Sequence, residues 1–385
     1  MISAVLAALC WAQPPIAQPP RLRATLPNGI GILVERMPEA RQISVHLLAT
    51  SPLTFENSKT HGLRHLLEHL MARGPEGDLD ARLERKGLLL LAETTRDVLS
   101  FEITGDPKEL DLALESVRQL MSPPRLTAEM ILGEIEIMAE ELALEPQNSK
   151  LASAAWQQAY GGQMPDPLGS LSVMRKASPE ALAALHQALF QEGNRVISIS
   201  GPFALQPTMD KVRGLLEGLR KPLNQPFDAA LVPFQPGTLT VPLSGAARGA
   251  GVPPLSARET LYSIAFALAV AQTDPGVEVL YTPSLRSGLV VLTAASSPRL
   301  DEAIDGLTED QVASLYPLGQ SLALGWLRGA TQDASRNAKI RGLLMLIRRP
   351  LRLEDLIQSL EGMTLDDFKT ARERFLRDRA VRVNG

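Results

Sequence analysis

The stretch Gly62-Leu-Arg-His65-Leu-Leu-Glu68-His69-Leu-Met-Ala-Arg73 decides how this chain is read. Its apolar positions Leu63, Leu66, Leu67, Leu70 and Met71 recur at helical spacing, which predicts a helix with one buried face. Gly74 supplies a stop. On that helix His65 and His69 are four residues apart and share a face. Two imidazoles so placed can take two corners of a tetrahedral zinc. Glu68 sits on the flank of the same face, where a carboxylate reaches an activated water without displacing it. Zinc lowers the pKa of such a water from ~15.7 towards ~7, and the carboxylate takes the proton. The order His-x-x-Glu-His is the inverted zincin pattern.

A catalytic zinc takes a third protein ligand and keeps one position open. The glutamate-rich helix expected over Ala128 to Leu144 is the natural source, with Glu134-Ile-Glu136-Ile-Met-Ala-Glu140-Glu141. Glu134 and Glu141 are seven residues apart, two turns, and so share a face. Glu136 and Glu140 point elsewhere. Glu141 is therefore expected as the ligand, and Glu134 as a supporting catalytic carboxylate beside Glu68. The chain has five histidines. His61 continues the series but reads as a solvated first-turn residue. His46 and His186 lie in apolar segments and read as core or boundary residues.

Working outward, Arg21 to Leu26 and Ile30 to Arg36 read as strands around Pro27-Asn28-Gly29, a hairpin signal. Ile43 to Ala49, Leu88 to Ala92, Val98 to Thr104 and Val196 to Ser200 read as further strands. Pro107 to Met121, Ser178 to Phe190 and Leu205 to Leu219 read as helices. A proline-bearing stretch, Lys221 to Pro236, reads as a linker. Beyond it come a strand, a helix over Leu255 to Ala271, short strands over Val277 to Tyr281 and Leu289 to Thr293, then helices to the end. The small-residue run Gly245 to Gly251 reads as a flexible loop, because it lacks the Gly-Lys-Ser/Thr ending of a phosphate cradle. The basic tail Arg372 to Arg382 reads as a solvated helix face. The fold class is α+β, in two related domains over 21–220 and 237–385, with 221–236 between them.

The chain has 385 residues, 45% hydrophobic and 21% charged, so it can bury a large core. Its net charge of −4 gives no basic footprint for nucleic acid. Residues 1–20 begin with an apolar run too short to span a bilayer. They resemble a secretory signal with Ala12 as the cleavage point, which implies a periplasmic or secreted protein, with a cytoplasmic one as the alternative. Cys10 is the only cysteine, so no intrachain disulfide forms.

Leu26-Pro-Asn-Gly-Ile30, followed by Gly62 to His69 and by Glu134 to Glu141 with Glu145-Pro146, resembles the pitrilysin family: insulinase, mitochondrial processing peptidase and their bacterial relatives. The resemblance covers residues 21 to 220 well and the rest diffusely. It implies that each domain is an antiparallel sheet flanked by helices, and that the two form a shell around a chamber. It also implies that His65, His69 and Glu141 bind one zinc and that Glu68 is the general base, with extended peptides as substrates. The 72 residues from His69 to Glu141 are a few short of the usual gap, which keeps Glu140 as a lesser candidate.

Two departures stand out. Leu91-Ala92 stands where the family holds the substrate backbone with Asn-Ala. Asp274-Pro275 stands where an arginine would accompany a tyrosine, here Tyr281, which then reads as a plain strand residue. An intact zinc half with an altered arginine half implies a zinc-bearing subunit whose partner, a second chain of the family, supplies Arg and Tyr. The rival reading is a non-catalytic, peptide-binding or structural subunit.

Overall fold

The computed structural model describes residues 20–50, 57–192, 195–219, 231–347 and 352–385. The signal-like start with Cys10, part of the loop before Gly62, and the linker up to residue 230 lie outside the described residues. The first half runs β1 (Arg21–Thr25), β2 (Gly31–Arg36), β3 (Ile43–Thr50), α1 (Leu63–Arg73), α2 (Leu79–Glu84), β4 (Leu88–Thr94) and β5 (Val98–Gly105). It continues with α3 (Leu110–Leu120), α4 (Ala128–Leu144), α5 (Gln147–Tyr160), α6 (Leu171–Met174), α7 (Pro179–Glu192), β6 (Arg195–Gly201) and α8 (Leu205–Leu216). At the predicted hairpin Gly29 takes a φ of 82°, a region that only a residue without Cβ enters cheaply.

Six strands form one sheet in the order β1-β2-β6-β3-β5-β4. All neighbours are antiparallel except β2 and β6. Helices α1, α3, α7 and α8 cover one face through Leu66, Leu70, Leu114, Val117, Leu189 and Val212, all buried against the strands. Strand β4 is an edge, paired with β5 alone.

The second half runs β7 (Gly237–Thr240), β8 (Ala246–Val252), α9 (Arg258–Thr273), β9 (Val277–Tyr281), β10 (Gly288–Ala294) and α10 (Ser297–Ile304). It ends with α11 (Glu309–Gln332), α12 (Ala334–Leu346), α13 (Leu353–Glu361), α14 (Leu365–Glu373) and β11 (Val381–Asn384). Its sheet has the order β7-β11-β8-β10-β9, with β7 and β11 parallel. The protein is thus α+β with two helix-flanked sheets, each antiparallel but for one pair.

The halves exchange helices. Helix α5 packs on the second sheet, where Leu151, Ala155 and Trp156 meet Ala247, Leu289, Val381 and Val383. Helix α12 packs on β3 and β6 of the first sheet, and Leu343, Leu344 and Met345 join a core with Leu33, Leu48 and Val196. Buried Arg341 of α12 forms an ion pair with Glu35 of β2 at 2.7 Å, and Asn337 donates to the same carboxylate at 3.0 Å. Helix α5 escaped the sequence reading, because Pro146 looks like an end. It ends α4 and also stands at the N-cap of α5.

Three expectations are overturned. Gly245 to Gly251 is no flexible loop, since Ala246–Val252 is the central strand of the second sheet. Small residues serve there because both faces are covered closely. A Cβ on Gly251 would meet the Phe234 ring at 2.5 Å and one on Gly249 would meet Leu289 at 3.1 Å. Packing overrides strand propensity. The chain does not end in helices either, because β11 inserts between β7 and β8. The basic tail is not a solvated helix face. Arg372 donates to the carbonyls of Ile304 and Leu307, and Arg382 on β11 donates to Thr238.

Candidate metal centre

Helix α1 carries His65, Glu68 and His69 against the first sheet. Gly62 begins it in a left-handed conformation, φ 93°, packed so tightly that a Cβ would lie 3.0 Å from the Gly169 Cα. This contact sets the start of the helix, and with it the direction of both imidazoles. The His65 and His69 rings meet edge to face, 5.0 Å apart. Ligand atoms of His65, Glu68 and His69 all lie within 4.8 Å of one another.

Helix α4 brings in the glutamates. Glu141 Oε2 lies 3.8 Å from His65 Nε2 and 3.5 Å from His69 Nε2. Bonds of about 2.0–2.1 Å to a tetrahedral zinc hold ligand atoms at roughly that separation. The three donors therefore fit such an ion. Glu68 points at the same space, but its Oε2 already accepts from Thr94 Oγ1 at 2.6 Å. Glu136 and Glu140 lie on the exposed face of α4.

Glu134 approaches from the other side of His69. Its Oε2 is 3.1 Å from His69 Nδ1, and its Oε1 accepts from Arg73 Nε at 2.8 Å. Arg73 is held in turn by Asp80 at 2.5 Å. Glu134 thus orients a histidine and does not itself face the space between the donors.

Electrostatics follow from burial. Burial, helped by the neighbouring His69, holds His65 down at about 4, so it is neutral and ready to ligate. Burial also pulls His69 down, but hydrogen bonding to Glu134 and the charges of Glu68 and Glu141 outweigh it and raise the net value. Burial pushes Glu68 up to about 7 against the opposing hydrogen bond from Thr94. A carboxylate with a value near neutrality suits a group that both takes and returns a proton.

His61 leaves the cluster. Its Nε2 is 2.9 Å from the Asp166 carbonyl oxygen, so it is a clasp between loops and not simply a solvated residue. His46 and His186 are buried, as expected. Leu91 is half exposed on the edge strand β4. Asp274 caps the end of α9 and accepts from Arg299 at 2.9 Å. Tyr281 is more than a strand residue: its hydroxyl is buried without a hydrogen-bond partner, and it lines a cavity of about 230 Å³ with Arg96, Trp156 and Asp166. Arg96 lies 4.1 Å over the Trp156 ring. Thr94, Arg73 and Arg96 were missed by sequence reading, because each acts through a partner that is distant or on another element.

Residues 32–167 match the family model described as Insulinase (Peptidase family M16). Over that stretch the chain is similar to the insulinase family. Coenzyme PQQ synthesis protein F of Pseudomonas putida is 25% identical over 190 residues, 46% of this chain and 25% of that protein. Zinc protease PqqE of Helicobacter pylori is 22% identical over 206 residues, 51% of this chain and 46% of that protein. The matched segments thus span less than half the length of these relatives. Among solved structures, a protease from Helicobacter pylori has a TM-score of 0.77 at 17% identity, over 95% of this chain and 99% of that one. The periplasmic protease PqqL of Escherichia coli has a TM-score of 0.68 at 14% identity, over 97% of this chain and 48% of that one. These likenesses extend the shared fold over both halves.

Proposed function

We propose that this chain is a zinc metalloendopeptidase, or the zinc-bearing subunit of one, acting on extended peptides. The observation that carries the reading is the convergence of Glu141 Oε2 on the Nε2 atoms of both His65 and His69, with Glu68 alongside. Relatives named zinc proteases support a peptidase role in general. His65, His69 and Glu141 would hold the ion. When bound, zinc would polarise the scissile carbonyl and acidify a water. Glu68 would take the proton of an attacking water and hand it to the leaving amine. Thr94 holds Glu68 in place, and Glu134 fixes the tautomer and orientation of His69.

The substrate adds to the free edge of β4 by main-chain hydrogen bonds, which demand little of its sequence. Leu91 offers no side-chain hydrogen bond there, so the edge backbone and neighbouring groups carry the grip. The unpartnered Tyr281 hydroxyl and Arg96, two residues past β4, line one cavity and can donate there. The arginine that the resemblance led us to expect at position 274 would then come from the first half of the chain.

Substituting Glu68→Gln tests the reading. It should leave about one zinc per chain by elemental analysis and abolish cleavage of an unstructured peptide. Equal cleavage would sink it.

The rival is a non-catalytic, peptide-binding or structural partner subunit, favoured by Leu91 and Asp274. Likeness to one half of PqqL supports a second subunit of the same fold. Size-exclusion chromatography with the product of a neighbouring gene tests for that partner. Full activity of the isolated monomer would dismiss it. The signal-like start and the likeness to a periplasmic protease support a place in the periplasm. Among the described residues, no helix is long and apolar enough to cross a membrane.

A further inference from the structure

A second cavity, of about 480 Å³, lies on the helical side of the first sheet. It is bounded by the end of α3, by α7, by the start of β6 and by the chain just past α8. Met121, Phe190 and Leu219 give it apolar walls, and His186 and Arg195 reach it as polar groups. None of these residues belongs to the metal centre.

Arg195 is 4% exposed. Its one hydrogen bond among the described residues runs from Nη2 to the Asn28 carbonyl at 3.3 Å, and its buried Nε has none. Among the described residues no carboxylate acts on it, and burial pulls its guanidinium down to about 10. The negative end of α8 does not compensate it, because the Leu216 and Leu219 carbonyls already accept from the Asn28 amide at 2.7 and 3.3 Å. His186 is also 4% exposed and stacks on Phe190 at 4.8 Å, with its Nε2 buried and unpartnered. Burial keeps that imidazole neutral, against a hydrogen bond to the Ser122 backbone.

Buried charges in proteins are paired, because an unpaired one is costly. Here a guanidinium without a carboxylate and an unpartnered imidazole nitrogen stand at the wall of a cavity of ligand size. We propose that this cavity binds a small organic anion, a carboxylate carried on an apolar body. The planar guanidinium takes the carboxylate. Met121, Phe190 and Leu219 cover the apolar body. His186 Nε2 offers an acceptor to a hydroxyl or amide on it. The apolar walls disfavour a bare, strongly hydrated anion.

Calorimetric titration of the full chain at pH 7.5 tests this, with octanoate, octan-1-ol and inorganic phosphate as probes. Octanoate should bind at one site. Octan-1-ol and phosphate should each bind at least about tenfold more weakly, the scale of one charge-assisted hydrogen bond. Arg195→Gln should weaken octanoate by about the same factor. Ala183→Trp, which fills the cavity from its rim and leaves Arg195 intact, should abolish binding, and it carries the test alone if the arginine variant fails to fold. Absence of octanoate binding would overturn the proposal. So would equal binding of octan-1-ol or phosphate, or undiminished binding in Ala183→Trp.

Discussion

Thr94 Oγ1 donates to Glu68 Oε2 at 2.6 Å, so the carboxylate we assign as base is held by the last residue of β4 and not by its own helix. The hydrogen bond stabilises the charged form of Glu68. Thr94→Val removes it and raises the Glu68 pKa. The acid limb of the kcat/KM profile should therefore move to higher pH, and kcat should fall by about tenfold or more, the cost of one hydrogen bond to a charged group. Zinc content should not change, and Thr94→Ser should restore both quantities. An unmoved acid limb in Thr94→Val would separate Thr94 from the base.

Glu134 and Arg73 should act on zinc affinity before they act on turnover. Removing the partner of a ligating histidine commonly weakens metal binding by about 10–100-fold. Glu134→Gln should show that loss in a competition titration against a chelator of known affinity. Arg73→Ala should show a smaller loss, because it acts one bond further out. Wild-type zinc affinity in both variants would remove them from the site.

Zinc removal should leave His69 more readily protonated than an ordinary imidazole, since Glu134, Glu68 and Glu141 surround it with negative charge. Binding the ion must displace that proton. Zinc affinity should therefore fall as pH drops from about 8 to about 5.5, with proton release visible by calorimetry in buffers of different ionisation enthalpy. A pH-independent affinity would contradict the assignment of His69 as a ligand.

Glu354 tests the join between the halves. Burial raises its pKa, but Arg341 and Arg21 more than reverse this and hold it down at about 2. A depressed carboxylate stabilises the fold above its unfolded value, and that stability is lost as pH falls through the folded one. The stability gap between wild type and Glu354→Gln should be constant at neutral pH and close between about pH 4.5 and 2. Urea unfolding at a series of pH values measures it. A gap that widens on acidification would reverse the sign we assign.

Gly342 on α12 lies against Leu48 of β3 and Ser198 of β6, where a Cβ would collide with the leucine. Gly342→Val should destabilise the protein by about 1–3 kcal/mol, the usual cost of overpacking a core. Chemical denaturation checks it. A neutral substitution would show that α12 is not clamped to the first sheet.

The His65, Glu68 and His69 cluster was legible in advance because it is local. His65, Glu68 and His69 sit within five residues on one amphipathic helix, and helical periodicity alone puts the two imidazoles side by side. Glu141 and Glu134 were legible as a pair for the same reason, two turns apart on α4. Which of the two turns to the imidazoles is not set by spacing, because the direction of each depends on how α4 crosses α1. The crossing turns Glu141 towards both Nε2 atoms and Glu134 towards the far side of His69.

Local pattern therefore determined the α+β class, the opening hairpin, the helix that carries His65 and His69, and the glutamate helix. Tertiary structure decided what local pattern does not encode. Ala246–Val252 looked like a loop and is a central strand, because close cover on both faces rewards small side chains. Val381–Asn384 looked like the end of a helical tail and completes a sheet, because its partners lie more than a hundred residues away in sequence. Thr94 came to hold Glu68 because β4 packs beside α1. Helical and strand periods are set by neighbours a few residues apart, whereas sheet order, helix exchange and the grip on Glu68 are set by contacts that form only when distant segments meet.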